Sequence, residues 1–347
     1  MRTRMRAMRF PEAGRAEIVE APIPTPGEGD VLVRVKAAGI CASDAAAFQG
    51  KHDFRRPPVI TGHELAGAVD QIGRGVTRLR PGDRVAVEPH VGCGLCVFCR
   101  QGHYHECPQK RFVGVGDWIG AFAEFMVATE GMCHPLPEGM TYEEGACLEP
   151  LCVGLHAVRR AGIRMGESVA ILGVGTIGMM TLLGARCCAP GWIAVTDPSP
   201  AKRQMAERCG ADLALDPFAQ DPVEVIQQAT DGLGVDAVFV AVAADAVLRQ
   251  AVQMCRRMGR LVIIASFFQG GALEVRQIQA RERTVIGSSM YTAEDYRLAI
   301  RLWGRGYLQA LPSLITERIP LEEAPEVVAA LAAGAKPDNL KTVIHFD

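Results

Sequence analysis

The first part of the chain alternates short apolar runs with turn residues. Apolar runs over 31–37, 66–72 and 84–88 are separated by segments rich in proline and glycine, and a further strand is expected near 7–10. Short strands between glycine and proline turns are typical of a small barrel or a partly open β-domain. We therefore predict a mostly β segment over residues 7–90.

From Ser168 onward, continuous apolar strands alternate with helical stretches. The strands are expected over 168–172, 192–197, 235–242, 260–265 and 284–287. The helices between them are expected over 179–188, 198–209 and 246–258. Strands that are apolar on both faces and alternate with helices predict a doubly wound parallel sheet. The chain is expected to end with helices over 294–303 and 321–333 and a strand over 340–346.

The composition is typical of a globular protein without a nucleic-acid or membrane partner. The chain has 347 residues, enough for two domains, of which 49% are hydrophobic and 22% charged. A formal net charge of -2 gives no electrostatic reason to bind nucleic acid or an anionic membrane, and no apolar run is long enough to span a bilayer. The basic N-terminal residues lack the apolar segment of a signal peptide, so we expect a cytoplasmic protein.

Four of the twelve cysteines lie close together, spaced C-x2-C-x2-C-x7-C. Reduced thiols in such a chain favour a metal over disulfides. Four thiolates can close a tetrahedral shell around a structural zinc ion, and an iron–sulfur cluster is the alternative because it uses the same ligands. We favour zinc because the cluster is single and lies in a β-domain, and a redox C-x-x-C pair is less favoured because four cysteines are present. The residues are Cys93, Cys96, Cys99 and Cys107.

A second set of metal-ligand residue types is spread along the first half of the chain. His63 and Glu64 stand between two glycines, and Cys41 and Glu149 are further donors. A buried imidazole and carboxylate need a partner that offsets their desolvation, and a metal ion is the usual one. The alternative is a core cysteine, a hydrogen-bonded histidine and surface acids.

A glycine-rich turn follows the strand at 168–172. Gly173, Gly175 and Gly178 form G-x-G-x-x-G directly before a predicted helix, and Thr176 and Ile177 within this motif are expected to contact the cofactor as well. In this strand–turn–helix setting the glycines allow the turn and the close approach of a pyrophosphate, to which the helix N-terminus offers N–H donors. The turn therefore predicts a dinucleotide site.

Asp197 ends the next strand, 19 residues after Gly178. A carboxylate at this point can accept hydrogen bonds from both ribose hydroxyls and repels a 2′-phosphate, which favours NAD over NADP. The alternative is a surface turn aspartate.

These motifs together resemble those of a known family. The segment 62–67 with Gly73 and Val76, the four cysteines and the glycine turn occur in the order and spacing of the zinc-containing medium-chain dehydrogenase/reductases. The resemblance covers essentially the whole chain. Residues 149–151 followed by 153–157 are similar to the polyol (sorbitol) dehydrogenase branch, whose neighbours are butanediol and threonine dehydrogenases.

The resemblance implies a two-domain α/β protein. A GroES-like, β-rich catalytic domain would comprise 1–155 and 290–347, with its structural zinc lobe at 88–108. A Rossmann domain, a doubly wound parallel sheet that binds NAD, would comprise 156–289. The resemblance also suggests a homodimer or homotetramer formed through the sheet edge at 284–290.

The resemblance also implies an active site. Cys41, His63 and an acid, Glu64 or Glu149, would hold a catalytic zinc in addition to the structural one, and which glutamate binds directly stays open. Asp44 would lie behind the ligands and fix His63.

Further residues receive roles from the same resemblance. Ser43 would pass the proton of a zinc-activated substrate hydroxyl outward, while a hydride moves to NAD and a ketone forms. Lys202 matches a position near the adenosine ribose, and Lys341 matches a position near the pyrophosphate.

Two departures from the polyol branch leave the substrate open. Polyol dehydrogenases usually carry a histidine where this chain has Ala46, and His52 is a candidate replacement, although we favour a surface histidine. Their Phe-Arg pair near the last strand is replaced by Ser-Met at 289–290, so the pocket is expected to be roomier and to lack that guanidinium. Phe112 and Trp118 are candidates to line the pocket, with plain packing as the equal alternative.

We therefore expect a zinc- and NAD-dependent enzyme that oxidises a small secondary alcohol, namely a polyol, sugar alcohol or vicinal diol, to a ketone. One alternative is an amino-alcohol or cyclitol dehydrogenase similar to threonine dehydrogenase, against which Glu149 argues. Another is a non-catalytic dinucleotide-binding protein, against which the intact set of metal ligands argues. A nucleic-acid-binding zinc module is less favoured still, because no basic patch flanks the four cysteines.

Overall fold

The computed structural model describes residues 2–267 and 270–347. The strands of this described part are β1 (Arg4–Arg9), β2 (Glu17–Pro22), β3 (Asp30–Ile40), β4 (Glu64–Ile72), β5 (Arg84–Val87), β6 (His90–Val91), β7 (Arg111–Phe112), β8 (Phe125–Thr129), β9 (Cys133–Pro135), β10 (Ser168–Leu172), β11 (Trp192–Thr196), β12 (Leu213–Leu215), β13 (Val235–Val240), β14 (Cys255–Ile263), β15 (Thr284–Gly287), β16 (Ile315–Pro320) and β17 (Lys341–His345). Its helices are α1 (Ala42–Phe48), α2 (Val97–Arg100), α3 (Tyr142–Ala146), α4 (Leu148–Ala161), α5 (Thr176–Arg186), α6 (Pro200–Arg208), α7 (Pro222–Ala229), α8 (Asp245–Met254), α9 (Val275–Gln279), α10 (Ala293–Gly304) and α11 (Ala324–Ala332). Within these described ranges, no helix combines the length and the apolarity needed to cross a membrane.

The chain forms two compact units. The first comprises the residues up to Glu149 together with Thr292–Arg305 and Leu311–Asp347, and the second comprises Pro150–Tyr291 and Gly306–Ala310. The domain boundaries expected from the sequence, 1–155 with 290–347 and 156–289, differ slightly from this division. They stay a prediction.

A seven-stranded sheet is the centre of the first unit. Its order is β16-β17-β3-β4-β5-β9, and β8 pairs with β3 as well. The 11-residue strand β3 pairs antiparallel with β4 along one edge and with β8 and β17 along the other. Register shifts between Leu32 and Val33 and between Val35 and Ala37 bend the strand, as bulges do, so the sheet curls.

The curled sheet encloses an apolar core. Met8, Leu65, Phe122 and Ile344 are buried members of this core. Each such side chain contributes about 1.5–3 kcal/mol to folding. The loops at the ends of β3 and β4 are therefore attached to a rigid support.

The second unit contains a parallel sheet of six strands. Its order is β12-β11-β10-β13-β14-β15, and all five neighbouring pairs are parallel. The strand order reverses between β10 and β13, which is where open α/β sheets bind ligands at the carboxyl ends of their strands. The predicted fold class, a β-rich GroES-like domain with a Rossmann sheet, is confirmed.

Some elements differ from the sequence prediction. The helix expected over 246–258 ends at Met254, and β14 begins at Cys255, because a long-range parallel pairing with β13 overrides the local periodicity. The three-residue strand β12 is too short to show a period. Helix α7 was also missed, although Asp221 caps it and a proline stands in its first turn, which is a readable start signal.

Candidate active site

Three donor side chains converge in the first unit. One ligand atom each of Cys41, His63 and Glu64 lies within 4.8 Å of the others. Cys41 follows β3 as the N-cap of α1, and Glu64 is the first residue of β4. Because β3 and β4 pair with Gly39 opposite Glu64, the sheet register brings the three donors together.

Two glycines make this approach sterically feasible. A Cβ at Gly39 would lie 1.9 Å from Glu64 Oε2, so only glycine leaves room for the carboxylate. Gly62 has a φ of +94°, and a Cβ there would lie 2.7 Å from Phe122 Cδ1. The glycine before His63 is thus required by both conformation and packing.

Asp44 lies behind the imidazole and faces its Nδ1. The fully buried Asp44 places Oδ1 3.6 Å from Nδ1 of His63. Asp44 also accepts hydrogen bonds from the backbone N of Cys41 at 3.0 Å and from Thr61 Oγ1 at 3.1 Å. A carboxylate on the Nδ1 side leaves Nε2 of His63 as the nitrogen available to a metal.

The electrostatics of this cluster favour a cation. Burial acts to raise the pKa of Asp44, but His63 and Arg55 lower it to about 2. Burial and Arg55 act to lower the pKa of His63, yet Asp44 and Cys41 raise it to about 10. The cluster therefore stabilises a positive charge at His63. The sulfur, nitrogen and oxygen donors of the cluster fit a zinc ion.

Lys341 contacts Glu64 from the other side. Its Nζ lies 2.8 and 2.7 Å from the two carboxylate oxygens and 3.1 Å from the carbonyl oxygen of Ile40, and both charged side chains are 1% exposed. Burial acts to lower the pKa of Lys341, but Glu64 and Cys41 raise it above its ordinary value. The pairing of β17 with β3 directs the ammonium of Lys341 to Glu64, and the expected place of Lys341 near a pyrophosphate stays a prediction.

The two candidate glutamates occupy different positions. Glu149 is buried near the start of α4, but in the described part of the chain it is not one of the converging donors. Direct ligation by either glutamate stays a prediction, and the geometry favours Glu64.

Ser43 and His52 share a neighbour that the sequence analysis missed. Arg55 Nη1 donates to Ser43 Oγ at 3.3 Å, and the backbone N of Arg55 donates to His52 Nδ1 at the same distance. His52 is buried, so the favoured interpretation as a surface histidine is wrong. Burial and the Arg55 charge lower the pKa of His52 to about 4, which makes it neutral at physiological pH. No sequence pattern marks Arg55.

The four-cysteine lobe forms a second donor group. Its sulfur atoms lie within 4.8 Å of one another. Backbone N–H groups point at them: Cys93 N donates to Cys107 Sγ at 3.3 Å, and Cys96 N donates to Cys93 Sγ at 3.4 Å. The N–H groups of Leu95 and Cys96 lower the pKa of Cys93 to about 6. A thiolate stabilised in this way at Cys93, together with three further sulfur atoms at close range, fits a closed zinc shell.

A buried network attaches this lobe to the rest of the unit. Tyr104 lies between the third and fourth cysteines, and its hydroxyl donates to Glu88 Oε1 at 2.5 Å. The hydroxyl oxygen of Tyr104 also accepts a hydrogen bond from the backbone N of Ala293 at 2.5 Å. Glu88, which is 2% exposed, also lies 3.1 Å from Nε2 of His134.

In the second unit, the glycine turn joins β10 to α5. Gly173 has a φ of +87°, and a Cβ at Gly178 would lie 1.9 Å from the carbonyl oxygen of Gly173. In contrast, a Cβ placed on Gly175 would have no described atom within 4 Å apart from the glycine itself and its two chain neighbours. Thr176 and Ile177 open the helix directly beyond it. Open space before a helix N-terminus fits a pyrophosphate.

Asp197 is held rigidly beside this turn. It is 7% exposed, Oδ2 accepts from Val174 N at 3.0 Å, and Oδ1 accepts from Ser199 N at 2.9 Å. Each carboxylate oxygen keeps a second lone pair for a ribose hydroxyl. Lys202 lies in the first turn of α6, and its place at a ribose stays a prediction.

Two family profiles match the chain. "Alcohol dehydrogenase GroES-like domain" matches residues 27–138, and "Zinc-binding dehydrogenase" matches residues 175–304. These matches agree with the converging donors, the cysteine lobe and the parallel sheet. The protein therefore belongs to the class of zinc-type dehydrogenases that use a nicotinamide coenzyme.

Individual relatives narrow the assignment. Sorbitol dehydrogenase of Bacillus subtilis (strain 168) is 32% identical over 334 residues, 95% of this chain and 94% of the relative. The structure of 2R,3R-butanediol dehydrogenase from Bacillus subtilis is similar at TM-score 0.90 and 30% identity, covering 99% of this chain and 100% of the other. A zinc-binding dehydrogenase from Sinorhizobium meliloti 1021 bound to NADP is similar at TM-score 0.93 and 32% identity, with the same coverage.

The chain belongs to the zinc-type medium-chain dehydrogenase/reductase family, in its polyol branch. It is an enzyme, and zinc and a nicotinamide coenzyme are its cofactors, as the sequence predicted. The threonine-dehydrogenase-like and non-catalytic alternatives are not favoured.

Proposed function

We propose that this enzyme oxidises a secondary hydroxyl of a small polyol or vicinal diol to a ketone, with NAD as the hydride acceptor. The observation that carries the proposal is the convergence of Cys41, His63 and Glu64 within 4.8 Å. The substrate class is supported by the relatives named sorbitol dehydrogenase and 2R,3R-butanediol dehydrogenase.

Each residue of the cluster receives a role. Cys41, His63 and Glu64 would hold the catalytic zinc, which when bound supplies a Lewis acid at the substrate oxygen, while the nicotinamide supplies the hydride acceptor. Asp44 orients His63. Ser43 Oγ accepts from Arg55, so its own O–H stays available for passing a substrate proton outward.

The remaining sites have structural or binding roles. Cys93, Cys96, Cys99 and Cys107 would hold the structural zinc. The turn Gly173–Gly178 would bind the pyrophosphate, and Asp197 would bind the ribose hydroxyls. The rigid negative charge of Asp197 supports a preference for NAD over NADP, although one relative was solved with NADP.

The assembly is a further part of the proposal. We infer a cytoplasmic homodimer or homotetramer that pairs through β15. This strand is the last in its sheet and its side chains are largely exposed, Val285 to 37%. An edge strand with unpaired backbone groups can pair with the same strand of a second copy of the chain. Light scattering tests the inference, and a clean monomer would refute it.

Metal content measured alongside turnover tests the catalytic assignment. Wild type should hold two zinc ions per chain and form NADH from a polyol panel. Cys41→Ser should keep one zinc ion and lose turnover, whereas Cys133→Ser, at a buried core thiol, should keep both ions. One zinc ion in both wild type and Cys41→Ser would overturn the catalytic metal site.

A further inference from the structure

A buried arginine lies next to the catalytic cluster with most of its donors unused. Arg55 is 5% exposed, and its Nε is buried without a hydrogen-bond partner. In the described part of the chain its guanidinium makes one hydrogen bond, from Nη1 to Ser43 Oγ at 3.3 Å. A buried guanidinium with so few partners is costly unless an anion completes the site.

The neighbouring Asp44 does not complete this site. The charge of Arg55 acts on Asp44. However, the carboxylate oxygens of Asp44 accept hydrogen bonds from Thr61 and Cys41 and face His63. Because Nη1 is used by Ser43, the edge formed by Nε and Nη2 remains. That edge is the planar fork with which arginine binds carboxylate and phosphate oxygens in pairs.

Arg55 also packs against a residue that lines a nearby cavity. Its Cζ lies 5.5 Å from the ring centroid of Phe54, and Phe54 stacks on Phe112 at 5.0 Å. Both rings line a cavity of about 520 Å³, a size that suits a small polyhydroxy compound.

The cavity wall combines aromatic rings with positive charge. Lys110 Nζ lies 5.8 Å from the ring of Phe112, and Arg111 Cζ lies 4.9 Å from the ring of Trp118. Asp117 is the acidic residue among the lining side chains. Aromatic rings suit the C–H faces of a sugar chain, and two cations against one acid favour an anionic one.

We propose that Arg55 is a specificity-determining residue that binds an anionic group, a carboxylate or a phosphate monoester, on a polyhydroxy substrate. The preferred substrates are then sugar acids or sugar-alcohol phosphates rather than neutral polyols. This inference rests on the proposed function, because Arg55 matters for substrate only if the neighbouring cluster oxidises alcohols.

The test compares matched six-carbon compounds on the zinc-loaded, full-length enzyme with NAD: a neutral hexitol, an aldonate and a hexitol monophosphate. Wild type should show a higher kcat/KM for an anionic member. Arg55→Gln should reduce the anionic-to-neutral ratio by about 100-fold, chiefly through KM, the size expected for a paired charge-assisted contact. Arg55→Lys, which keeps the charge but loses the fork, should fall between the two.

A matched control variant separates the specific contact of Arg55 from a nonspecific effect of positive charge. Arg56 is the exposed neighbour whose Nε donates to the carbonyl oxygen of Asp53 at 3.1 Å. Arg56→Gln should leave the ratio within about twofold, since an exposed charge contributes little. Preference for the aldonate assigns a carboxylate ligand, and preference for the monophosphate assigns a phosphate.

Calorimetric titration of the aldonate and the hexitol monophosphate tests Arg55 without turnover. Binding to wild type that is lost in a folded Arg55→Gln protein supports the proposal. Equal binding to both proteins, or no preference of wild type for either anion, overturns it. Failure of the proposed function looks different, because zinc-loaded wild type would then oxidise none of the three compounds whatever it binds.

Discussion

Replacing Lys341 by methionine would remove the cation that faces Glu64. The ammonium lies 2.7 and 2.8 Å from the two carboxylate oxygens, and both side chains are 1% exposed. Methionine keeps the length and the apolar stem of lysine, so packing changes little. The substitution therefore isolates the effect of leaving a buried carboxylate without its partner.

The expected magnitude follows from that burial. Breaking a fully buried ion pair costs about 3–5 kcal/mol, a large part of the roughly 5–15 kcal/mol that stabilises an ordinary domain. The double variant Lys341→Met/Glu64→Gln removes both charges. Its free energy of unfolding should therefore decrease less than that of Lys341→Met alone. If Glu64 binds zinc, added metal replaces the missing cation and should stabilise Lys341→Met more than wild type.

Denaturant unfolding with and without added zinc measures these differences. The control is Lys336→Met, whose ammonium pairs with Glu317 where both side chains are 28% exposed. That pair should contribute less than about 1 kcal/mol. A loss below about 1 kcal/mol for Lys341→Met would refute the reasoning, and an equal response of all variants to zinc would refute ligation by Glu64.

Three further predictions concern other parts of the chain. Burial acts to raise the pKa of Glu124, but hydrogen bonds, among them one from Arg6 N at 2.7 Å, lower it below the ordinary 4.5. Its ionised form therefore stabilises the fold above that value and ceases to do so as pH falls through the lowered pKa. Glu124→Gln should thus cost about 1–2 kcal/mol at neutral pH and progressively less as the pH falls below 4.5, measured by urea unfolding. Asp197→Ser should raise the NADP-to-NAD ratio of kcat/KM by about 100-fold in steady-state assays, because a repelling charge is lost. Tyr104→Phe should cost about 1–3 kcal/mol by unfolding yet keep both zinc ions, since it leaves Glu88 short of a donor.

Each of these has a result that contradicts it. The Glu124 reasoning fails if the cost of its substitution does not decrease as the pH falls below 4.5. An unchanged coenzyme ratio would show that Asp197 does not face the ribose. Zinc loss in Tyr104→Phe would show that the hydroxyl supports the cysteine lobe directly rather than anchoring it.

The sequence predicted those parts of the site whose chemistry requires particular residue types at short spacing. The four cysteines, the Gly-His-Glu segment and the glycine turn are of this kind, and each is compact in the structure. The contacts of Lys341 and Arg55 were not predicted, because they depend on strand register and on the path of a loop. Lys341 reaches Glu64 across 277 positions of sequence, which no local pattern encodes.

The fold shows the same division. Long apolar runs such as β10 and β13 were predicted because burial on both faces leaves a clear pattern. Cys255 was placed in a helix because its own neighbours favour one, whereas its strand conformation comes from pairing with Val235. The local sequence sets the propensity for helix or strand. Pairing with a strand that is distant in sequence decides which of the two forms.

The bent strand β3 has a consequence for how the protein matures. It ends next to Cys41, pairs with the strand that begins at Glu64, and pairs with the strand that carries Lys341. The catalytic cluster and its counter-charge are therefore complete only after residues 341–345 have left the ribosome and joined the sheet. The lobe of Cys93 to Cys107 spans only 14 positions and can close while synthesis continues. The structural metal site can thus close during synthesis, whereas the buried pair of Glu64 with Lys341 forms only once β17 has joined the sheet.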